Sequence, residues 1–191
     1  MLSAAHAGHL PALRAMIRAG AVEGSFERDL AADTPDVRMF FANLRQALVT
    51  GYFVDQDLQG NGIPRAAPGY VYWPNERAPD DRPVGFGLFK AFGDFGYELW
   101  LTGVDAAWRG AGHGRTMLTS LLATPAGRLA WTVRVQRLGP SAAVMKHLLE
   151  EHRYAVVRES RAQMWFLRND APPALMERMR GARIVPRAEP D

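Results

Sequence analysis

"WRGAGHG", residues 108–114, decides the reading of this chain. Three glycines stand at alternate positions directly behind an arginine. The segment before them, "FGYELWLTGV" (residues 95–104), is β-rich, and behind them Met117, Leu118, Leu121 and Leu122 repeat at helical spacing. A strand that ends in a glycine turn and opens a helix makes an anion site. The first backbone N–H groups of the helix lack intrahelical partners, and the helix dipole favours negative charge there. Gly110, Gly112 and Gly114 put no Cβ in the way of phosphate oxygens, and Arg109 adds positive charge. The expected guest is a phosphate or a pyrophosphate. The plain alternative is a structural glycine turn that caps a helix.

Two phosphate loops fail the test. A P-loop needs Lys-Ser/Thr after its second glycine, and no such lysine follows Gly110. A dinucleotide fingerprint would need glycine at position 115, which is Arg115. The loop also follows an antiparallel meander rather than opening the chain's first βαβ unit.

Reading outward, Leu10, Leu13, Met16 and Ile17 predict a helix over residues 9–19, ended by Gly20. Val37, Phe40, Phe41, Leu44 and Leu48 predict a second helix over 37–50. Residues 51–69 are rich in glycine and proline and read as a long loop, with room for one short strand. "YVYWPNE" (70–76), "VGFGLFKAF" (84–92) and residues 95–104 read as a three-stranded antiparallel meander, with turn chemistry at 78–83 and at Gly93-Asp94. "TPAG" (124–127) stops the helix behind the glycine loop. "LAWTVRVQ" (129–136) is a strand, and "GPS" (139–141) precedes a helix carrying Val144, Met145, Leu148 and Leu149. "YAVVRES" and "AQMWFLR" close the pattern with two strands, followed by a short helix at 173–179 and a loose tail. A further strand fits at the very start. The order α-α-β-β-β-α-β-α-β-β contains one βαβ unit, so the fold class is α/β (α+β): a mixed, mostly antiparallel sheet with helices. Residues 1–168 form the expected single domain, and 169–191 a C-terminal extension.

Composition narrows the chemistry. The chain has no cysteine, which excludes disulfides, thiolate metal sites and cysteine nucleophiles. His6 and His9 stand close but have no acidic neighbour, so no metal is expected. No apolar run reaches the roughly 18 residues of a membrane span, and the first residues do not follow a signal-peptide pattern. A cytoplasmic protein is the default expectation. The net charge is only +3, and the arginines are scattered among acids rather than gathered into a nucleic-acid patch.

"VDAAWRGAGHG" (104–114) resembles the acyl-coenzyme A loop of the GNAT acetyltransferase superfamily, whose pattern Arg/Gln-x-x-Gly-x-Gly/Ala is matched by Arg109, Gly112 and Gly114. The order of elements after Tyr70 also matches. The likeness is strong from about 83 to 157 and weak before 70, and it implies a GNAT fold with a six- to seven-stranded sheet and helices on both faces. It implies acetyl-CoA as co-substrate, with its pyrophosphate on the backbone of Arg109, Gly110, Ala111, Gly112, His113, Gly114 and Arg115, and with Ser141 also at the coenzyme. The pantetheine arm would lie along Leu101, Thr102, Gly103 and Val104. His113 is expected to face solvent.

Acetyl transfer to an amine requires the amine to lose a proton, and it needs a hydrogen-bond donor for the thioester oxygen. Glu98 is the candidate base. It is the one carboxylate in an apolar strand, and it resembles the catalytic glutamate of the histone-acetyltransferase branch. Strand alternation groups it with Trp100 and Thr102, opposite Leu99 and Leu101. Its alternatives are a solvent-facing position or an arginine partner. The helix tyrosine that serves many family members as the acid is absent: Leu148 or Leu149 stands in its place, with His147, His152 and Tyr154 as substitutes.

By the same resemblance, segments 20–26 and 51–69 build the acceptor site, with Glu23, Glu27, Asp55 and Asp57 suited to a cationic amine. The expected partner is a small-molecule or protein amine. An acyl-CoA-binding module with little catalysis and an acetyltransferase acting on aminoacyl-tRNA are the rival readings. Members of this family also pair through their last strands, so a homodimer is compatible with the sequence.

Overall fold

A computed structural model describes residues 1–57, 59–74 and 82–181. Strand β1 (Leu2–Ala4) leads into helices α1 (Leu10–Val22) and α2 (Pro35–Thr50). Thr34 caps α2, its Oγ1 accepting from Val37 N at 3.3 Å, with Pro35 in the first turn. Gly51, at φ 79°, ends the helix in the left-handed conformation. Helix α1 does not end at Gly20. That glycine stays helical, and the Phe26 ring occupies the space beside it; a Cβ there would lie 2.6 Å from the ring.

The segment 51–69, read from sequence as a loop, contains a two-stranded hairpin, β2 (Tyr52–Gln56) with β3 (Gly62–Ala66). Its turn is organised by the Asp57 carboxylate, which accepts from Asn61 N at 2.8 Å and Gln59 N at 2.9 Å. Next come β4 (Gly69–Tyr72), β5 (Gly85–Ala91) and β6 (Tyr97–Val104), paired antiparallel in that order as the expected meander. The turn expected at 78–83 lies mostly outside the described residues. Helix α3 (His113–Ala123) follows the glycine loop. "TPAG" stops α3 at Thr124 but opens a further short helix, α4 (Pro125–Arg128), whose Gly127 sits where a Cβ would meet Leu121 O at 2.0 Å. Then come β7 (Ala130–Gln136), α5 (Ala142–Glu151), β8 (Tyr154–Glu159), β9 (Gln163–Arg168) and α6 (Pro173–Gly181). The expected loose tail, 182–191, is outside the described residues.

The main sheet has seven strands in the order β1-β4-β5-β6-β7-β9-β8. Only β6 and β7 run parallel, joined by the α3 crossover. One face packs Phe89, Leu99, Val133 and Phe166 under Leu118, Leu121 and Leu149 of α3 and α5. The other packs Val71, Phe86, Leu88 and Leu101 under Leu13, Ile17, Phe41 and Leu44 of α1 and α2. Helix α6 closes a smaller cluster through Leu175 on Leu167. No helix among the described residues is long and apolar enough to cross a membrane.

Two features of β6 position everything else. Leu88 pairs with Leu101 but Phe89 pairs with Leu99, so Trp100 is an extra residue, a β-bulge. The bulge shifts the alternation. Leu101 joins Glu98 and Trp100 on the α1–α2 side, and Thr102 turns to the other face, contrary to the simple period-two reading. Beyond the bulge, β6 and β7 part. Their last paired residues are Leu99 and Val133, and residues 100–104 and 134–136 have no partner across the gap.

Tyr154 is 2% exposed, and its hydroxyl donates to Ala130 O at the start of β7 in a 2.5 Å bond. Burial pushes its pKa up to about 12 from an ordinary 10. The folded state therefore keeps a proton that the unfolded chain releases from pH 10 upward. The associated stability is present below pH 10 and is lost as pH rises toward 12. Urea denaturation from pH 9 to 12.5 is expected to show the native chain losing about 2–3 kcal/mol more than Tyr154→Phe over that window.

Candidate active site

The glycine loop begins with a tight turn, Ala106–Trp108, whose Asp105 carboxylate accepts from Ala107 N at 3.0 Å. Gly110 (φ 84°) and Gly112 (φ 82°) are both left-handed, a backbone that side chains rarely adopt. A Cβ at Gly110, Gly112 or Gly114 would meet nothing within 4 Å, so the glycines border open space rather than a packed neighbour. Among the described residues no acceptor is bonded to the backbone N–H groups of residues 110–115, and the first α3 bond runs from Thr116 N to Gly112 O. The loop is thus a row of unsatisfied donors at a helix N-terminus, facing outward. A phosphate cradle has this form, and the residues present fit the coenzyme pyrophosphate that the resemblance implies.

A cleft of about 810 Å³ runs from this loop through the parting of β6 and β7 to the α1–α2 side. Of the sequence-predicted coenzyme residues, Leu101, Thr102, Gly103 and Val104 line its middle, and Arg109, Gly110, Gly112, Gly114, Arg115 and Ser141 line the loop end. Ala111 and His113 do not line it. His113 is half-buried rather than solvent-facing: its Nδ1 lies 3.3 Å from the Tyr72 hydroxyl, and its ring packs on Trp108. At the far end the walls are Leu30, Phe40, Phe53 and Trp100, with Glu27 and Asp55 among them.

Glu98 does not line the cleft. It is 5% exposed, and its Oε1 accepts from Arg134 Nε at 2.5 Å. Arg134, which does line the cleft, stands on β7 beyond the point of parting. Burial works against the Arg134 charge, but the Glu98 carboxylate, with Glu27 and Asp55 adding to it, more than offsets this and raises its pKa above the ordinary value. The sequence reading missed Arg134. The signal was available, because it is the one charge in "LAWTVRVQ", as Glu98 is in its own strand.

The other charges are paired, apart from Glu27, which has no ion-pair partner among the described residues. Arg109 donates to Glu23 Oε2 at 2.5 Å and to Val104 O at 3.1 Å. Arg115 donates to Glu151 Oε2 at 2.5 Å, and this bond, before any other influence, holds the Glu151 carboxyl below its usual range. Asp55 lies between Arg65 Nε at 2.8 Å and Lys90 Nζ at 3.2 Å. Of the four acids expected at the acceptor site, Glu27 and Asp55 reach the cleft, Glu23 holds Arg109, and Asp57 holds its own turn. Among the substitutes for the missing tyrosine, Tyr154 is in the core and His152 bonds Thr119 at 3.1 Å. His147 lines the cleft and meets Glu151 at 3.1 Å, on the loop side. Leu148 and Leu149 are buried. His6 and His9 cap the first turn: His6 Nδ1 accepts from Gly8 N, and His9 Nδ1 from His6 N.

No protein-family model matches the sequence, and no curated protein matches it. Solved structures do. A ribosomal-protein-alanine N-acetyltransferase from Brucella melitensis is 16% identical over 87% of this chain and 97% of its own, with a TM-score of 0.55. The paia N-acetyltransferase of Thermoplasma acidophilum, in complex with coenzyme A, is 13% identical over 88% and 98%, also at 0.55. The yncA protein of Salmonella typhimurium, with its cofactor acetyl-CoA, is 18% identical over 91% and 98%, again at 0.55. At these identities the likeness concerns the fold: this chain has the GNAT acetyltransferase fold, as the glycine loop and the order of elements led us to expect.

The Glu98–Arg134 pair sets a stability test. Glu98→Gln leaves a half-buried guanidinium without its counter-charge. The change is expected to cost about 1–3 kcal/mol, below the range for a fully buried pair because Arg134 keeps some solvent. Chemical denaturation at neutral pH measures it.

Proposed function

We propose that the protein is an acyl-CoA-dependent N-acetyltransferase that moves an acetyl group from acetyl-CoA to a primary amine by direct attack. One observation carries the reading: a single cleft joins an unsatisfied phosphate cradle to a chamber with apolar walls and acidic groups, through a gap between two parallel strands. In this reading the backbone of residues 110–115 holds the pyrophosphate. The backbone of residues 101–104, unpaired on its β7 side, receives the pantetheine arm and offers a donor to the thioester oxygen. The arm approaches from the α3–α5 side and the amine from the α1–α2 side.

The amine nitrogen bonds to the thioester carbon, the carbon–sulfur bond breaks, and the thiolate leaves. The amine proton must go to a base. Glu98 is separated from the cleft by Arg134, so we assign it the task of positioning that guanidinium. Glu27 is exposed at the cleft, with no ion-pair partner among the described residues, and takes the proton-accepting role. No tyrosine lines the cleft, and thiolate departure in this scheme needs no protein acid.

A thiol-release screen of acetyl-CoA against amines, peptides and aminoacyl-tRNA tests the reading, together with calorimetry of coenzyme binding. Release is expected with a small amine. Glu27→Gln is expected to lower kcat/KM about a hundredfold, and Glu98→Gln by much less at temperatures where it stays folded. Gly112→Val, which places a strained side chain in the cradle, is expected to weaken coenzyme binding about tenfold or more. Tight coenzyme binding with no release to any acceptor would assign the cleft to binding alone.

A further inference from the structure

The acceptor end of the cleft holds one charge whose purpose the reaction leaves open. Arg134 is fixed from behind by a buried carboxylate through Nε alone. Among the described residues its two terminal nitrogens have no partner, and the residue faces the cleft. The other cations at this end are already engaged. Arg65 and Lys90 hold Asp55, and Lys90 also stacks over Trp100 with its Nζ 4.5 Å from the ring centre. A guanidinium anchored by Nε presents its outer edge as a planar two-nitrogen fork, the geometry that binds a carboxylate through two parallel hydrogen bonds.

The surroundings restrict what carries that carboxylate. Trp100 meets Phe40 and Phe53 edge-on, with ring centres 5.8 and 4.7 Å away, the two phenylalanine rings are tilted to each other at 6.0 Å, and with Leu30 they give the chamber an apolar wall. Glu27 supplies an unpaired negative charge for an ammonium. Glu27, Asp55 and Glu98 are balanced by Arg65, Lys90 and Arg134, so the chamber suits a guest that bears both charges and no net one. From these features we infer that Arg134 is a carboxylate subsite and that the acceptor is an α-amino acid with an apolar, aromatic-sized side chain. The amine faces Glu27 and the gap, the carboxylate faces Arg134, and the side chain lies on the aromatic wall. This inference rests on the acetyltransferase reading for its chemistry, but not for the subsite itself.

The test compares L-phenylalanine with phenethylamine, which lacks the carboxylate, and with phenylalaninamide, which lacks its charge. Thiol release should favour phenylalanine in kcat/KM by about tenfold or more over both. Arg134→Lys keeps a cation beside Glu98 but loses the fork, and should bring the ratio close to one. A second measurement needs no turnover: calorimetry with 3-phenylpropionate should show binding to the native protein that is about tenfold weaker in Arg134→Lys. Equal or better turnover of phenethylamine, a preference that survives Arg134→Lys, or no binding of 3-phenylpropionate to the native protein would overturn the inference. If no amine releases thiol but 3-phenylpropionate binds through Arg134, acetyl transfer fails and the subsite stands.

Discussion

The parting of β6 and β7 is the constraint on which the rest of the molecule depends. Two parallel strands in the middle of a sheet ordinarily pair along their whole length, because backbone groups left unpaired and out of water cost free energy. Here the pairing stops at Leu99 and Val133, and the Trp100 bulge is what re-aims β6 at that point. The extra residue turns Leu101 into the α1–α2 core and lets the strand diverge while β5 and β6 remain paired to Val104. The unsatisfied edges then face a cleft rather than packed side chains. A ligand with its own amide groups, lying in the gap, could complete the pairing that the protein omits. The sheet is thus left unfinished in its middle, where a guest can finish it.

The charges around the cleft follow a second rule: with the exception of Glu27, those that matter to the site are held in place by an opposite charge. The pairs differ in depth, and the difference is physical. Arg109–Glu23 and Arg115–Glu151 are partly exposed, with side-chain exposures of 32 to 56%. Exposed pairs of this kind contribute only about 0–1 kcal/mol, so a phosphate can displace either carboxylate at little cost. Glu98 is 6% exposed as a side chain, and Arg134 is buried on its Glu98 side. Opening that pair would strand a buried carboxylate, so Arg134 is fixed where the loop arginines are exchangeable. Under the proposed function, exchangeable cations would suit a mobile co-substrate, and a fixed one the discrimination of an acceptor.

Much of this was legible in the sequence. The glycine loop, the meander and the crossover helix follow from spacing and turn chemistry, because local periodicity and backbone freedom decide them. The two-stranded hairpin at Tyr52–Ala66 was not legible: Gly60, Gly62 and Pro64 read as breakers, although Gly60 lies in the turn and an edge strand tolerates the other two. Helix α1 runs past Gly20, whose role is close packing rather than termination: the ring of Phe26, six residues on, fills the space that the glycine leaves. The face assignment of Leu101 and Thr102 failed because strict alternation assumes an unbroken strand, and one bulged residue inverts it. Glu98 drew attention as a charge in an apolar strand, but its partner lies 36 residues away and is brought alongside only by the parallel crossover. A solitary charge in each of two adjacent strands is a stronger signal than either alone.

The loop between α1 and α2 ties these observations together, because it touches both banks of the gap. Glu23 reaches Arg109 on the β6 side. On the β7 side the chain passes so close to Gly139 that a Cβ there would lie 2.6 Å from Gly24 O and 3.1 Å from Ser25 Cα. Only glycine permits that approach, so Gly139 serves contact between the loop and the β7–α5 turn rather than the flexibility of the turn itself. At the Gly139 contact Ser25 presents a buried hydroxyl with no hydrogen-bond partner among the described residues, and it lines the cleft. The loop therefore bridges the cleft at the level where donor and acceptor would meet. Of its two attachments, the Gly139 contact is close-packed, whereas the Glu23 contact is an exposed ion pair on the arginine of the phosphate cradle. A phosphate that takes Arg109 removes the weaker attachment and leaves the stronger.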